Sequence, residues 1–430
     1  MQQTLFIVPQ DWFPTWILGF WLVFGAIYLA ISYRTERFAA VAREFIPVYM
    51  IVAAVLYFVM PRLSVPIVNP DDPAGPFING GLAIRGYGVF LMFAILGGIS
   101  LVALRAPQAG ISLEKTLTLC FVMIVSGLVG ARVFFVIQYW NEFASGSLWG
   151  ILDMTKGGLV VYGSLIGGLI GAMIYFFRSG LPIARTMDVL APAMILGLAI
   201  GRIGCLMNGC CFGGVCGTEF PLGLTFPAGS PPYFQQLENG ELLGLELIPT
   251  TDSEAKKRFP FTVKSIGKSS PLFSYGIQAG DLIMIAPPEP QRLQVLKNQQ
   301  LDFPLDFTVV VQRLGATSVS AKLLPERSLA IHPTQIYAAV NAFLLCGALF
   351  FLYPIRQFDG QVFSVLMIAY PISRFVLEII RTDEGGQFGT TLSISQWVSA
   401  FTVLAGFIVY AIFMSRRQRS VQPSVAKPEA

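Results

Sequence analysis

The sequence predicts an all-α polytopic membrane protein of about nine transmembrane helices, with one inserted extracytoplasmic α+β domain. Three observations carry that prediction. Of 430 residues, 54% are hydrophobic and only 13% are charged, whereas a soluble domain carries about 25% charged residues. Apolar runs of roughly 20 residues, the length that crosses a bilayer as a helix, recur along the chain. They stop across residues 215–330, where charge, proline and β-branched alternation return. The net charge of +4 is small and scattered and gives no footing for nucleic acid.

In order, the candidate spans lie near 14–32, 45–61, 87–105, 117–139, 158–177, 188–207, 335–354, 361–381 and 395–415. The first is followed by charged residues without a small-residue cleavage site, so it reads as a retained helix rather than a signal peptide. Orientation follows from basic residues in the short loops. Arg34, Arg37, Arg43, Arg105, Lys115, Arg178, Arg185, Arg356, Arg416, Arg417 and Arg419 all fall on one side if the spans alternate. That side is cytoplasmic by the positive-inside rule, which places the N-terminus and the insert outside and the C-terminus inside.

Within the insert, FTVKSIGKSSPLFSYGIQAGDLIMI reads as strand, polar loop, helical turn and second strand. QRLQVLKNQQ reads as a helix, and DFTVVVQRLG with SVSAKLLP as a β-hairpin around Gly315. Over about 258–326, with Ser270-Pro271 and Ala279-Gly280-Asp281 as its markers, this order resembles a PDZ domain. The resemblance implies a peptide partner added as a strand to a sheet edge. The other reading is a small cap that shields the membrane site.

Several residues are out of place in lipid. An ionised side chain at the bilayer centre costs about 2.5–3.5 kcal/mol even on insertion scales, so it marks function by default. Arg132, Arg202 and Arg374 lie inside predicted spans, and Glu378 is one turn beyond Arg374 on the same face. Guanidinium forks suit a phosphate, and the abundant phosphate in a membrane is a lipid headgroup. Arg374 and Glu378 also fit an internal ion pair. Gly163, Gly167 and Gly171 form a small-residue face for close helix packing, and Tyr162 stands at its outer end. Cys205, Cys210, Cys211 and Cys216 cluster after the sixth span. Their spacing is not a familiar zinc pattern, so no metal site and no cofactor are expected. One structural disulfide, packing thiols and a metal or redox role stay open for them. With a single histidine, His332, an HExxH protease is excluded.

Five motifs in order carry a larger resemblance: IRGYG (84–88), GGLVVYGSLIGG, GRIGCLMNGCCFGG (201–214), HPTQIY (332–337) and SRFVLEIIR (373–381). Together they resemble the prolipoprotein diacylglyceryl transferases of the bacterial inner (cytoplasmic) membrane. The resemblance implies transfer of the diacylglyceryl group from phosphatidylglycerol to the lipobox cysteine of a preprolipoprotein. Arg202 matches the arginine of the family's GRxGNFxNxE signature, with Asn208 its second asparagine and Gly213 its closing glycine. Arg374 and Glu378 match the RFxxE stretch, and Tyr87 matches the YG tyrosine. The resemblance thus implies catalytic roles for Arg202, Arg374, Glu378, Tyr87 and Tyr162. Substrate contacts are assigned to Arg202, Asn208, Gly213, Arg132 and His332.

The chain departs from the pattern at three points. Tyr162 stands where the family has a histidine, and Cys205 and Cys210 replace its first asparagine and its acidic residue. A catalytically silent, lipid-binding scaffold with a peptide-binding module is therefore the competing reading. The implied organisation is two additional N-terminal helices and an outer loop (1–79), a transferase-like core in two parts (80–214 and 331–416), the insert (215–330) and a disordered cytoplasmic tail (417–430).

Overall fold

The computed structural model describes residues 82–143, 160–250 except 218, 258–298 except 269, 305–381 and 389–416, with single residues and short stretches elsewhere. Among the described residues, seven helices are long and apolar enough to cross a membrane. The expectation of nine is thus met for seven. The first predicted span overlaps helix α1 (Leu18–Tyr33), 16 residues long. The second span, 45–61, and the tail 417–430 fall largely or wholly outside the described residues.

The seven helices are α2 (Gly86–Gln108), α3 (Leu113–Gln138), α4 (Val161–Ser179), α5 (Ile183–Asn208), α8 (Thr334–Ile355), α9 (Gln361–Ile379) and α10 (Ile394–Arg416). Between α5 and α8 lie two shorter helices, α6 (Pro231–Glu238) and α7 (Pro290–Asn298). The chain divides into two compact units, one of 1–89 with 205–333 and one of 90–204 with 334–430.

In the membrane unit, Val102, Leu119, Phe176, Val189, Ile195, Leu349 and Leu366 belong to one buried apolar cluster. Helices α3 and α4 approach through glycine. A β-carbon on Gly163 would strike the Gly130 carbonyl, and one on Gly167 would strike the Ser126 carbonyl. Without side chains there, the two backbones touch directly, which supplies dispersion contacts that lipid cannot displace. The glycine spacing read from the sequence does this packing work.

An ionic knot ties α5 to the start of α9. Gly360, at the N-cap of α9, has no side chain with which to cap the helix. Asp188 of α5, fully buried, does so instead: its two carboxylate oxygens accept from the amides of Gly360 at 2.7 Å and Phe363 at 2.9 Å. Arg356 lies 3.4 Å from Asp188 and 3.4 Å from Asp359, and Asp359 pairs with Arg185 at 3.0 Å. The negative cap also faces the positive end of the α9 dipole.

The other unit contains a five-stranded antiparallel meander of β5 (Leu245–Pro249), β6 (Phe261–Ile266), β7 (Leu282–Ala286), β8 (Asp306–Val311) and β9 (Gly315–Ser320), in that spatial order. Four earlier strands form two small antiparallel pairs, β1 (Thr4–Val8) with β4 (Leu82–Arg85) and β2 (Pro66–Ile67) with β3 (Ile78–Asn79). Tyr233 and Leu237 of α6, Leu293 of α7, and Val263, Ile283, Phe307, Val309 and Val319 of the sheet form one core. The strand, turn, strand, helix and hairpin expected over 261–320 are the elements found. The two ends of the insert are zipped together: the Gly213 amide donates to His332 O at 3.0 Å, His332 N to Gly214 O at 3.0 Å, and Cys216 N to Ala330 O at 2.9 Å.

Candidate active site

The predicted site residues divide between the two units. In the membrane unit, Arg374 and Glu378 pair across one turn of α9. Glu378 is 5% exposed and accepts from Ser393 Oγ at 3.2 Å, while Arg381 lies 3.7 Å away on the same carboxylate oxygen that Arg374 holds. The second Nη of Arg374 reaches Ser395 Oγ at 3.3 Å.

Helix α10 begins at this point for a local reason. Ser393 accepts from the Gln396 amide at 3.2 Å, and the Gln396 side chain accepts from the Ser393 amide at 2.9 Å. That reciprocal pair is a capping box, written in the sequence as SISQ. Two guanidinium groups thus share one carboxylate beside a helix N-terminus. Among the described residues, two guanidinium groups and one carboxylate meet here, and the positive end of the helix dipole lies beside them. Guanidinium groups fixed in this way can offer N–H donors to an anion.

Arg132 is buried on α3, donates to Gly158 O at 3.2 Å, and stands 5.4 Å from the Phe135 ring centroid and 5.6 Å from that of Phe143. Its guanidinium is held by backbone and aromatic faces. Arg202 is half-buried on α5, in the last two turns of that helix. Tyr162, in the first turn of α4, is 40% exposed.

In the other unit, Gly213 and His332 are brought together by the backbone pairing of the insert's ends. The His332 ring meets Phe220 edge-on at 4.7 Å. Asn208 closes α5, and Tyr87 lies in the first turn of α2, where Gly86 packs on Met207. All six cysteines are thiols, so of the readings left open for the cluster the structural disulfide is not formed in this structure. Three of the four clustered thiols meet at one turn, and Cys216 stands outside that group.

Sequence reasoning missed Ser393, Ser395 and Asp188. The capping-box pattern signalled Ser393. An aspartate within an apolar span signalled Asp188. Nothing in the local pattern signalled Ser395.

Fold and site define a multi-pass membrane protein that gathers two guanidinium groups on one buried carboxylate at a helix start. A family model described as prolipoprotein diacylglyceryl transferase matches residues 76–412. The chain is 35% identical to the phosphatidylglycerol–prolipoprotein diacylglyceryl transferase of Rhodopirellula baltica, over 96% of this chain and 89% of that protein. It is 25% identical to the protein of the same name from Clostridium tetani, over 79% of this chain and 96% of that one. A relative of that name from Dehalococcoides mccartyi is 34% identical over 43% of this chain and 65% of its own length. The chain belongs to the prolipoprotein diacylglyceryl transferase family.

Proposed function

We infer that this protein transfers the diacylglyceryl group of phosphatidylglycerol to the lipobox cysteine thiol of a preprolipoprotein. The thiol sulfur bonds to the glyceryl carbon as that carbon's bond to the phosphate oxygen breaks. The electron pair leaves on glycerol phosphate, and the thiol proton passes to solvent. The phosphate gains a negative charge in this step, so positive groups fixed in advance lower the barrier.

The observation that carries the reading is the buried Arg374–Glu378–Arg381 cluster at the capped start of α10. Arg374 and Arg202 bind the lipid phosphate, and Glu378 holds Arg374 and Arg381 in place. Tyr162 donates a hydrogen bond to the phosphate or the lipid glycerol. Arg132 is assigned to substrate as an intramembrane arginine. For Tyr87, Asn208, Gly213 and His332, the support is the family motif or the sequence neighbourhood.

The protein acts in the bacterial inner membrane by this reading. It has nine spans, the N-terminus and insert outside and the C-terminus inside, supported by the basic residues of the short loops. Reporter fusions near residue 240 and after residue 356 then give opposite signals. The insert is PDZ-like and takes a peptide on a sheet edge, of which β5 and β9 supply two.

The test is transfer of labelled diacylglycerol to a lipobox peptide by the purified full chain. Arg374→Lys keeps the charge and loses the bidentate fork, and a fall of about 10–1000-fold is expected. An unchanged rate overturns the phosphate assignment. No transfer by the unmodified chain favours the silent scaffold.

A further inference from the structure

The turn that ends α5 gathers sulfur. The thiol sulfurs of Cys205, Cys210 and Cys211 all lie within 4.8 Å of one another, and all three residues are partly exposed. Neighbouring side chains such as those of Cys210 and Cys211 ordinarily diverge, so the backbone must bring them together. It does so in two steps. Gly209 takes φ 73° just past the helix end, and Cys211 takes φ 58°, the one non-glycine residue with positive φ among the described residues. For a residue with a β-carbon, that conformation is disfavoured by the clash of the β-carbon with the backbone. The Cys210 amide turns back to the Cys205 carbonyl at 3.1 Å, and the Cys210 thiol approaches the same oxygen at 3.7 Å.

We propose that Cys205, Cys210 and Cys211 bind one Zn2+ as a tri-thiolate site whose fourth position takes water or an added thiol. Tetrahedral zinc with bonds of about 2.3 Å separates its sulfurs by about 3.8 Å, so the trio closes on an ion by shifts of about 1 Å or less. Soft thiolates select zinc over hard cations. Three thiol protons leave to solvent on binding, and three thiolates with one dication carry a net single negative charge. A disulfide would use two of the three sulfurs and give the third no task. Apolar packing would not require the left-handed cysteine. Among the described residues, no histidine, carboxylate or further cysteine joins the group, which leaves the fourth position open. The spacing C-x4-C-C follows no four-ligand zinc pattern, but three ligands with an open position also suffice.

The full-length protein, purified in detergent without chelator, is assayed for metal by mass spectrometry. It is then chelated, reduced and titrated with Co2+. About one zinc per chain is expected. The cobalt form should show thiolate charge-transfer absorption with tetrahedral d–d bands, which shift when a small thiol is added. Cys205→Ser, Cys210→Ser and Cys211→Ser should each lose both signals, and Cys216→Ser should keep both. Absence of zinc and of the charge-transfer band in the unmodified protein overturns the site, whatever the variants do. So does metal retained in Cys210→Ser and Cys211→Ser, or a disulfide within the trio in protein purified anaerobically.

Discussion

Arg374 and Glu378, one turn apart on α9, form an ion pair whose carboxylate is also held by Ser393 and approached by Arg381. The pair is not self-contained: the one carboxylate serves two guanidinium groups and a serine hydroxyl beside the capped start of α10. Breaking a buried pair from one side leaves an uncompensated charge, which is why Glu378 matters to the position of both arginines.

Glu378→Gln therefore tests positioning. It keeps the size of the side chain, removes the counter-charge and offers an amide where Arg374 needs an acceptor. Lipid transfer by the purified protein should fall about 100–1000-fold, comparable to the loss of one oriented transition-state contact. A rate equal to that of the unmodified chain would show that Glu378 only pins the helix.

The glycine face gives a second test. Gly167→Ala places a methyl against the Ser126 carbonyl and Gly130 Cα, and both of these are backbone. The helices α3 and α4 must separate, at a cost of about 1–3 kcal/mol. Gly347→Ala is the control, since nothing lies within 4 Å of that β-carbon position. The thermal midpoint of the detergent-solubilised full chain should drop for Gly167→Ala and hold or rise for Gly347→Ala. Equal midpoints would contradict the close approach.

These two cases also show how legible the molecule was. Period, run length and glycine spacing are local properties, so the membrane helices from α2 onward, the close-packing glycine face of α4 and the elements of the insert could be read from the sequence, whereas the choice of α3 as the partner of that face could not. The Arg374–Glu378 pair could be read because a helix sets residues four apart side by side. The convergence of Cys205, Cys210 and Cys211 depends on one left-handed residue, and no spacing rule foresees that. The pairing of 213–216 with 330–332 and the capping of α9 by Asp188 depend on segments far apart in the chain, whose meeting is a tertiary fact.

Asp188→Asn probes that capping. The amide presents one acceptor where the carboxylate presents two, so either Gly360 or Phe363 loses its partner and Arg356 loses a counter-charge. A buried donor left unsatisfied costs about 1–3 kcal/mol. The expected result is a lower thermal midpoint of the full chain, accompanied by faster exchange of the first amides of α9. Unchanged exchange at Gly360 and Phe363 would remove Asp188 from this role.

The insert should respond to acid through Asp281. Its carboxylate accepts from Arg313 Nε at 3.0 Å and Nη2 at 2.9 Å, and from the Gln278 amide at 2.9 Å. The Arg313 hydrogen bonds, with the amide adding to them, hold the carboxyl below its ordinary value of 3.8. A folded pKa below the unfolded one means that the ionised carboxylate favours the folded state. That contribution is fully present above the unfolded pKa and is lost as pH falls through the folded value. Amide protection of β7 and β8, measured by hydrogen exchange on the full chain and corrected for intrinsic rates, should be level down to about pH 5 and decline below about pH 4. In Asp281→Asn, protection should be lower at neutral pH, and the part of the acid decline due to this group should vanish. Identical profiles for the two proteins would assign the acid response to other carboxylates.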